Sequence, residues 1–97
     1  MIEVAFAESA QADLDGLFDW IAERAGAATA IGYCERLKAF CNGLAHFPER
    51  GALRAHLRPG LRVTAFRRSA TIAYVVIEER VIILRILARG RSLERAV

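Results

Sequence analysis

The sequence predicts an α+β fold of order β-α-α-β-β-β, an N-terminal helical hairpin packed on one face of a small, mainly antiparallel sheet. Three observations carry this prediction. The stretch Thr71 to Leu87, TIAYVVIEERVIILRIL, holds two apolar, β-branched runs about a charged Glu78-Glu79-Arg80 tip, the pattern of two antiparallel strands joined by a short turn. Upstream, two segments place apolar residues at helical spacing and are joined by so few residues that they must run antiparallel. The chain has 97 residues, 55% hydrophobic and 26% charged, which is material for one folded core and reads as a single domain over 1–97.

Ile2, Val4 and Phe6 alternate with Glu3 and Ala5, predicting a short strand with one buried face. Ser9 is placed to cap a helix over 10–25, with Asp13 and Asp15 in the early turns where the helix dipole favours negative charge. Its apolar stripe is Leu14, Leu17, Phe18, Ile21 and Ala25, and Gly26 is its natural stop. A second helix over 28–46 lines up Ala30, Cys34, Leu37, Cys41 and Leu44, widened by Ile31, Tyr33 and Phe40. Phe47-Pro48 closes it, because the residue before proline disfavours helical backbone. A loop from Glu49 to Gly60 follows, punctuated by Gly51, Pro59 and Gly60 and carrying Arg50, Arg54, His56 and Arg58. Leu61 to Phe66 is the next strand.

Cys34 and Cys41 lie seven residues apart on one helix, about 10 Å along its axis. That is beyond the roughly 7 Å reach of a disulfide, so they read as buried thiols, which suits a reducing compartment. Histidine and cysteine are too few and too scattered for a metal centre, and no cofactor motif is present. No apolar run approaches the roughly 18 residues of a membrane span. Met1-Ile2-Glu3-Val4 lacks the layout of a signal peptide, so a cytoplasmic location is expected.

Charge is divided between the halves of the chain. Residues 1–48 carry three basic and seven acidic residues, while residues 49–97 carry eleven arginines against Glu49, Glu78, Glu79 and Glu94. So dense a population of arginine favours planar carboxylate or phosphate recognition, which leaves an acidic protein and a nucleic acid both as candidate partners. Counting register through the three later strands puts Leu61, Val63, Ala65, Thr71, Ala73, Val75, Ile82, Leu84 and Ile86 on one face, expected to pack on the helices. The other face gathers Arg62, Thr64, Phe66, Ile72, Tyr74, Val76, Val81, Ile83 and Arg85. With two helices available, that second face is expected to stay open as a partly apolar, cationic groove, with Arg89 and Arg91 beside it in the tail. Arg85, a charge inside VIILRIL, needs a partner such as Glu3 or Glu78, or an open groove.

In this order and spacing, the chain resembles the ParE/RelE superfamily of bacterial type II toxins over nearly its whole length. The resemblance is carried by Ala12-Asp13-Leu14 with Ile21, by Ala30, Tyr33 and Leu37, and by Leu44 with Phe47-Pro48 and Gly51. Gly60-Leu61-Arg62, Ile72-Ala73-Tyr74, and Val81 to Leu87 leading to Gly90-Arg91 complete it. It implies a toxin that either poisons DNA gyrase, as ParE-like members do, or cuts ribosome-bound mRNA, as RelE-like members do. Either way it implies a ParD-like or RelB-like antitoxin whose acidic, amphipathic C-terminal segment folds across the groove and the helices. Arg62 and Arg85 match the groove arginines of both branches, and with Arg91 they would form the phosphate site of a ribonuclease. RNA cleavage also needs an acid or base within hydrogen-bond reach. Where many members have histidine after the last strand this chain has Ala88, no tyrosine or histidine follows Tyr74, and the one lysine, Lys38, is in the second helix. The resemblance therefore favours a gyrase inhibitor without catalytic residues. A decayed toxin that serves as a binding module with its antitoxin is a further alternative.

Overall fold

The computed structural model describes residues 2–88 and 91–96. The elements are β1 (Glu3–Phe6), α1 (Glu8–Ala25), α2 (Ala27–Gly43), β2 (Ala52–Leu53), β3 (Arg62–Phe66), β4 (Ala70–Ile77), β5 (Arg80–Ala88) and α3 (Leu93–Ala96). The five strands make one sheet of order β1-β5-β4-β3-β2, with β1 parallel to β5 and every other pair antiparallel. This is the expected α+β architecture with two added elements, the edge strand β2 and the short helix α3.

The helix boundaries shift for identifiable reasons. The Ala7 N–H bonds to the Ile83 carbonyl at 2.9 Å and extends the β1–β5 ladder, so the chain passes from strand to helix with almost no loop. α1 therefore starts at Glu8, and the expected cap does not form: Ser9 instead donates its hydroxyl to the Leu84 carbonyl at 3.2 Å. Gly26, at φ +92°, ends α1 and begins α2 as a single-residue joint. α2 ends at Gly43, not 46, because Leu44, Ala45 and His46 bond to carbonyls three residues back and tighten the last turn.

Register holds as counted through Phe66, Ile72, Tyr74, Val76, Val81 and Ile83, which share a face. Beyond Ile83 it breaks. Tyr74 pairs with Ile83 but Ala73 pairs with Arg85, so Leu84 is an extra residue and β5 bulges. The bulge transfers Arg85 to the opposite face and brings Ile86 onto the face of Ile72.

The two faces are also exchanged relative to expectation. Phe66, Ile72, Tyr74, Val81, Ile83 and Ile86 pack against Ala10, Leu14, Cys34, Leu37, Cys41 and Leu44 of the helical layer. Volume decides the matter: this face holds the aromatics, and the other offers Ala65, Thr71 and Ala73. The second face is not bare either. Leu57 of the loop and Leu93 of α3 pack with Leu61, Val63, Ala73, Val75, Ile82 and Leu84 into a smaller cluster.

Both cysteines are buried and free. Burial pushes the Cys41 thiol up to about 12 and raises that of Cys34, so both stay protonated and act as small apolar side chains. No helix of the described residues is long and apolar enough to cross a membrane.

Candidate functional site

Among the described residues, those expected to line one open groove are distributed over five places. Phe66, Ile72, Tyr74 and Ile83 lie in the core under the helices. Val76 is exposed near the β4–β5 tip. Arg89 lies outside the described residues. Arg62, Arg85 and Arg91 separate into three distinct environments.

Arg62 and Tyr74 hold the segment that follows α2. The Tyr74 hydroxyl donates to the Pro48 carbonyl at 2.8 Å and accepts the Gly51 N–H at 2.9 Å. Arg62 Nη1 donates to the Gly51 carbonyl at 2.8 Å and to the Glu49 carbonyl at 3.2 Å. A Cβ on Gly51 would sit 2.9 Å from the Tyr74 hydroxyl and 3.0 Å from the Val63 carbonyl, so only glycine fits this close approach. The buried phenol is thus satisfied by backbone groups, as a buried polar group must be.

Arg85 finds its partner in α1. Its Nε and Nη2 donate to the two carboxylate oxygens of Asp13 at 2.7 and 2.8 Å, a bidentate pair, and its Nη1 donates to the Ala96 carbonyl at 3.0 Å. The Ile86 N–H adds a third bond to Asp13 at 2.9 Å. The cause is topological. β1 pairs with β5 only as far as Ile83, which leaves the next backbone groups of β5 without a strand neighbour. One helical turn apart, Ser9 supplies the missing donor and Asp13 the missing acceptor. Burial alone would raise the Asp13 pKa; hydrogen bonds from Arg85 and Ile86 and the charges of Arg85 and Arg91 outweigh it and hold the carboxyl below its ordinary value. The bond to Asp13 in turn raises the Arg85 pKa against the effect of its own burial.

Arg91 belongs to a different groove. It lies between α1, α2, the β3–β4 turn and the end of β5, with a volume of about 830 Å³. Leu17, Trp20, Ile21, Ile86 and Ala88 give it an apolar floor, and Arg36, Arg68 and Arg91 contribute three cations. Trp20 remains 55% exposed, with the Arg24 guanidinium 4.2 Å from its ring centre. Across from it the Tyr33 and Ser69 hydroxyls bond at 2.7 Å. Among the described residues that line this groove there is no histidine and no lysine. The arrangement can desolvate an apolar segment while pairing carboxylates or phosphates at its rim. The expected groove lay on the sheet; the groove described above lies beside the helices, and of the anticipated residues among the described ones it holds only Arg91. Its signal in the sequence was Trp20, an aromatic residue adjoining an apolar stripe already complete without it.

A family model described as the ParE toxin of a type II toxin–antitoxin system, parDE, matches residues 4–93. Among solved structures, the chain is similar to one from the chromosomal ParDE toxin–antitoxin system of P. aeruginosa, with 25% identity, a TM-score of 0.79, and coverage of 93% of this chain and 98% of that one. A conserved hypothetical protein of Helicobacter pylori shares the fold at 13% identity and a TM-score of 0.50, covering 94% of this chain and 98% of that one. No curated protein matches the sequence.

Proposed function

This chain belongs to the ParE toxin family of type II toxin–antitoxin systems, and from that premise we propose that it arrests growth in the cytoplasm by inhibiting DNA gyrase and is neutralised by a ParD-like antitoxin. The observation that carries the antitoxin half is the groove beside α1 and α2, with its apolar floor and its Arg36, Arg68 and Arg91. An acidic, amphipathic segment that folds on binding fits such a surface: its apolar residues cover Leu17, Trp20 and Ile21, and its carboxylates meet the arginines. The structural relative's ParDE assignment supports an antitoxin of the ParD type.

Gyrase is favoured over mRNA as the target because the anticipated ribonuclease residues are occupied elsewhere. Arg62 is bonded to carbonyls of the Glu49–Gly51 segment and Arg85 to Asp13 and Ala96. Arg91 alone remains in the groove, and Ala88 beside it has no proton to give or take. Arginine can stabilise a phosphate but stays protonated at neutral pH and makes a poor general base.

The deciding experiment is a supercoiling assay with purified gyrase and toxin, run beside a ribosomal A-site mRNA cleavage assay. Supercoiling should stop, or cleaved DNA accumulate, at toxin concentrations that leave the mRNA intact, and added antitoxin should restore activity. Codon-placed mRNA cuts with gyrase unaffected would overturn the proposal.

A further inference from the structure

The segment that leaves α2 is fixed in its backbone yet exposed in its side chains. Phe47 is 69% exposed and Leu53 54%. The backbone between them is tied to the interior through Tyr74, which holds Pro48 and Gly51, and through Arg62, which holds Glu49 and Gly51. An exposed phenylalanine on ordered backbone can dock without the entropic cost of arresting a loop. His46 to Arg50 also border an open hollow of about 570 Å³.

Charge defines what could dock. Arg50 lies over the Phe40 ring at 4.9 Å. Arg54 and Arg58 follow on one compact turn, where the Arg58 N–H bonds to the Arg54 carbonyl at 3.4 Å. Between residues 49 and 62 the only acid is Glu49. Leu53 belongs to β2, at the end of the strand order, and none of these residues lines the groove beside α1 and α2. A nucleic acid could use the arginines and stack a base on Phe47, but the exposed aliphatic Leu53 gains only from burial in an apolar cavity, so the features favour a protein over a nucleic acid.

We propose that Phe47, Arg50 and Leu53, with Arg54 and Arg58, form a second docking surface for an acidic protein face bearing an apolar cavity, and that the toxin's target uses it while the antitoxin segment fills the groove. This rests on the toxin reading above but not on gyrase being the target. The test compares the full-length wild type with Phe47→Ala/Arg50→Glu and, separately, Leu53→Arg. Growth arrest on induced expression, thermal midpoint and affinity for the cognate antitoxin are measured for each. Arrest should require about tenfold more toxin, a change of the size expected for losing an interface anchor, while thermal midpoint and antitoxin affinity hold. Should the double variant fail to fold, Leu53→Arg decides. Arrest at wild-type levels in a folded variant would overturn the proposal, and so would a parallel loss of antitoxin affinity. Binding of a fluorescent RNA or DNA by the wild type that the variants lose would reassign the surface to nucleic acid and overturn it too. Gyrase inhibition by the wild type is scored separately. If it is absent while arrest still depends on Phe47 and Arg50, the surface stands and the gyrase assignment falls.

Discussion

Asp13 accepts three hydrogen bonds, two from Arg85 and one from the Ile86 backbone, while its side chain is only 13% exposed. Removing one member of such a pair leaves the other partly buried and uncompensated, so Asp13→Asn should cost about 2 kcal/mol of stability at neutral pH, read from denaturant unfolding. The pH dependence follows from the direction of the shift. Asp13 is held below its ordinary value in the folded state. Its contribution is therefore fully present above the unfolded carboxylate range near about pH 4, and is lost as pH falls through the folded value. The gap between wild type and Asp13→Asn should be widest near neutrality and close on acidification; a gap that does not depend on pH would show that geometry, not charge, sets the cost. The need for a partner at Arg85 was legible from a charge inside an apolar run. Its identity was not, because two-residue counting has no way to register Leu84 as an extra residue in β5.

The helical hairpin was legible as an element because its apolar spacing is regular and Gly26 stands between two periodic segments. Gly26 serves both helices at φ +92°, a region that L side chains avoid. Gly26→Ala should thus destabilise the fold by about 1 kcal/mol, lowering the thermal midpoint, although a Cβ there would meet no neighbour. A change within experimental error would mean the joint can relax to another geometry. β2 and α3, at two and four residues, are too short to carry any period, and both escaped sequence reading for that reason. The facing of the sheet could have been inferred from side-chain volume. Phe66, Ile72 and Tyr74 against Ala65, Thr71 and Ala73 mark the thicker layer, whereas counting apolar residues alone reversed the two sides.

Across the molecule, the acidic half of the sequence supplies α1 and α2 and the basic half most of the sheet, so the groove is bounded by both. Arg36 comes from α2, Arg68 from the β3–β4 turn and Arg91 from beyond β5. Trp20, the chain's one tryptophan, stands in this groove and reports on its occupancy. Its emission should shift to shorter wavelength when the antitoxin segment binds. The affinity measured this way should fall several-fold between low and physiological salt, as expected for arginine–carboxylate pairs at a partly exposed rim. Binding without a Trp20 response would place the antitoxin elsewhere.

The parallel pairing of β1 with β5 has a consequence for the toxin during its own synthesis. Glu3 is synthesised well before Arg80, its partner in the sheet. Ile86 and Ala88, which help form the groove, come later still. A nascent chain that has emerged only as far as β4 has neither a docked first strand nor a finished groove, so the surface proposed for the antitoxin is still incomplete. On the proposed function, neutralisation through this groove would therefore wait until β5 has left the ribosome.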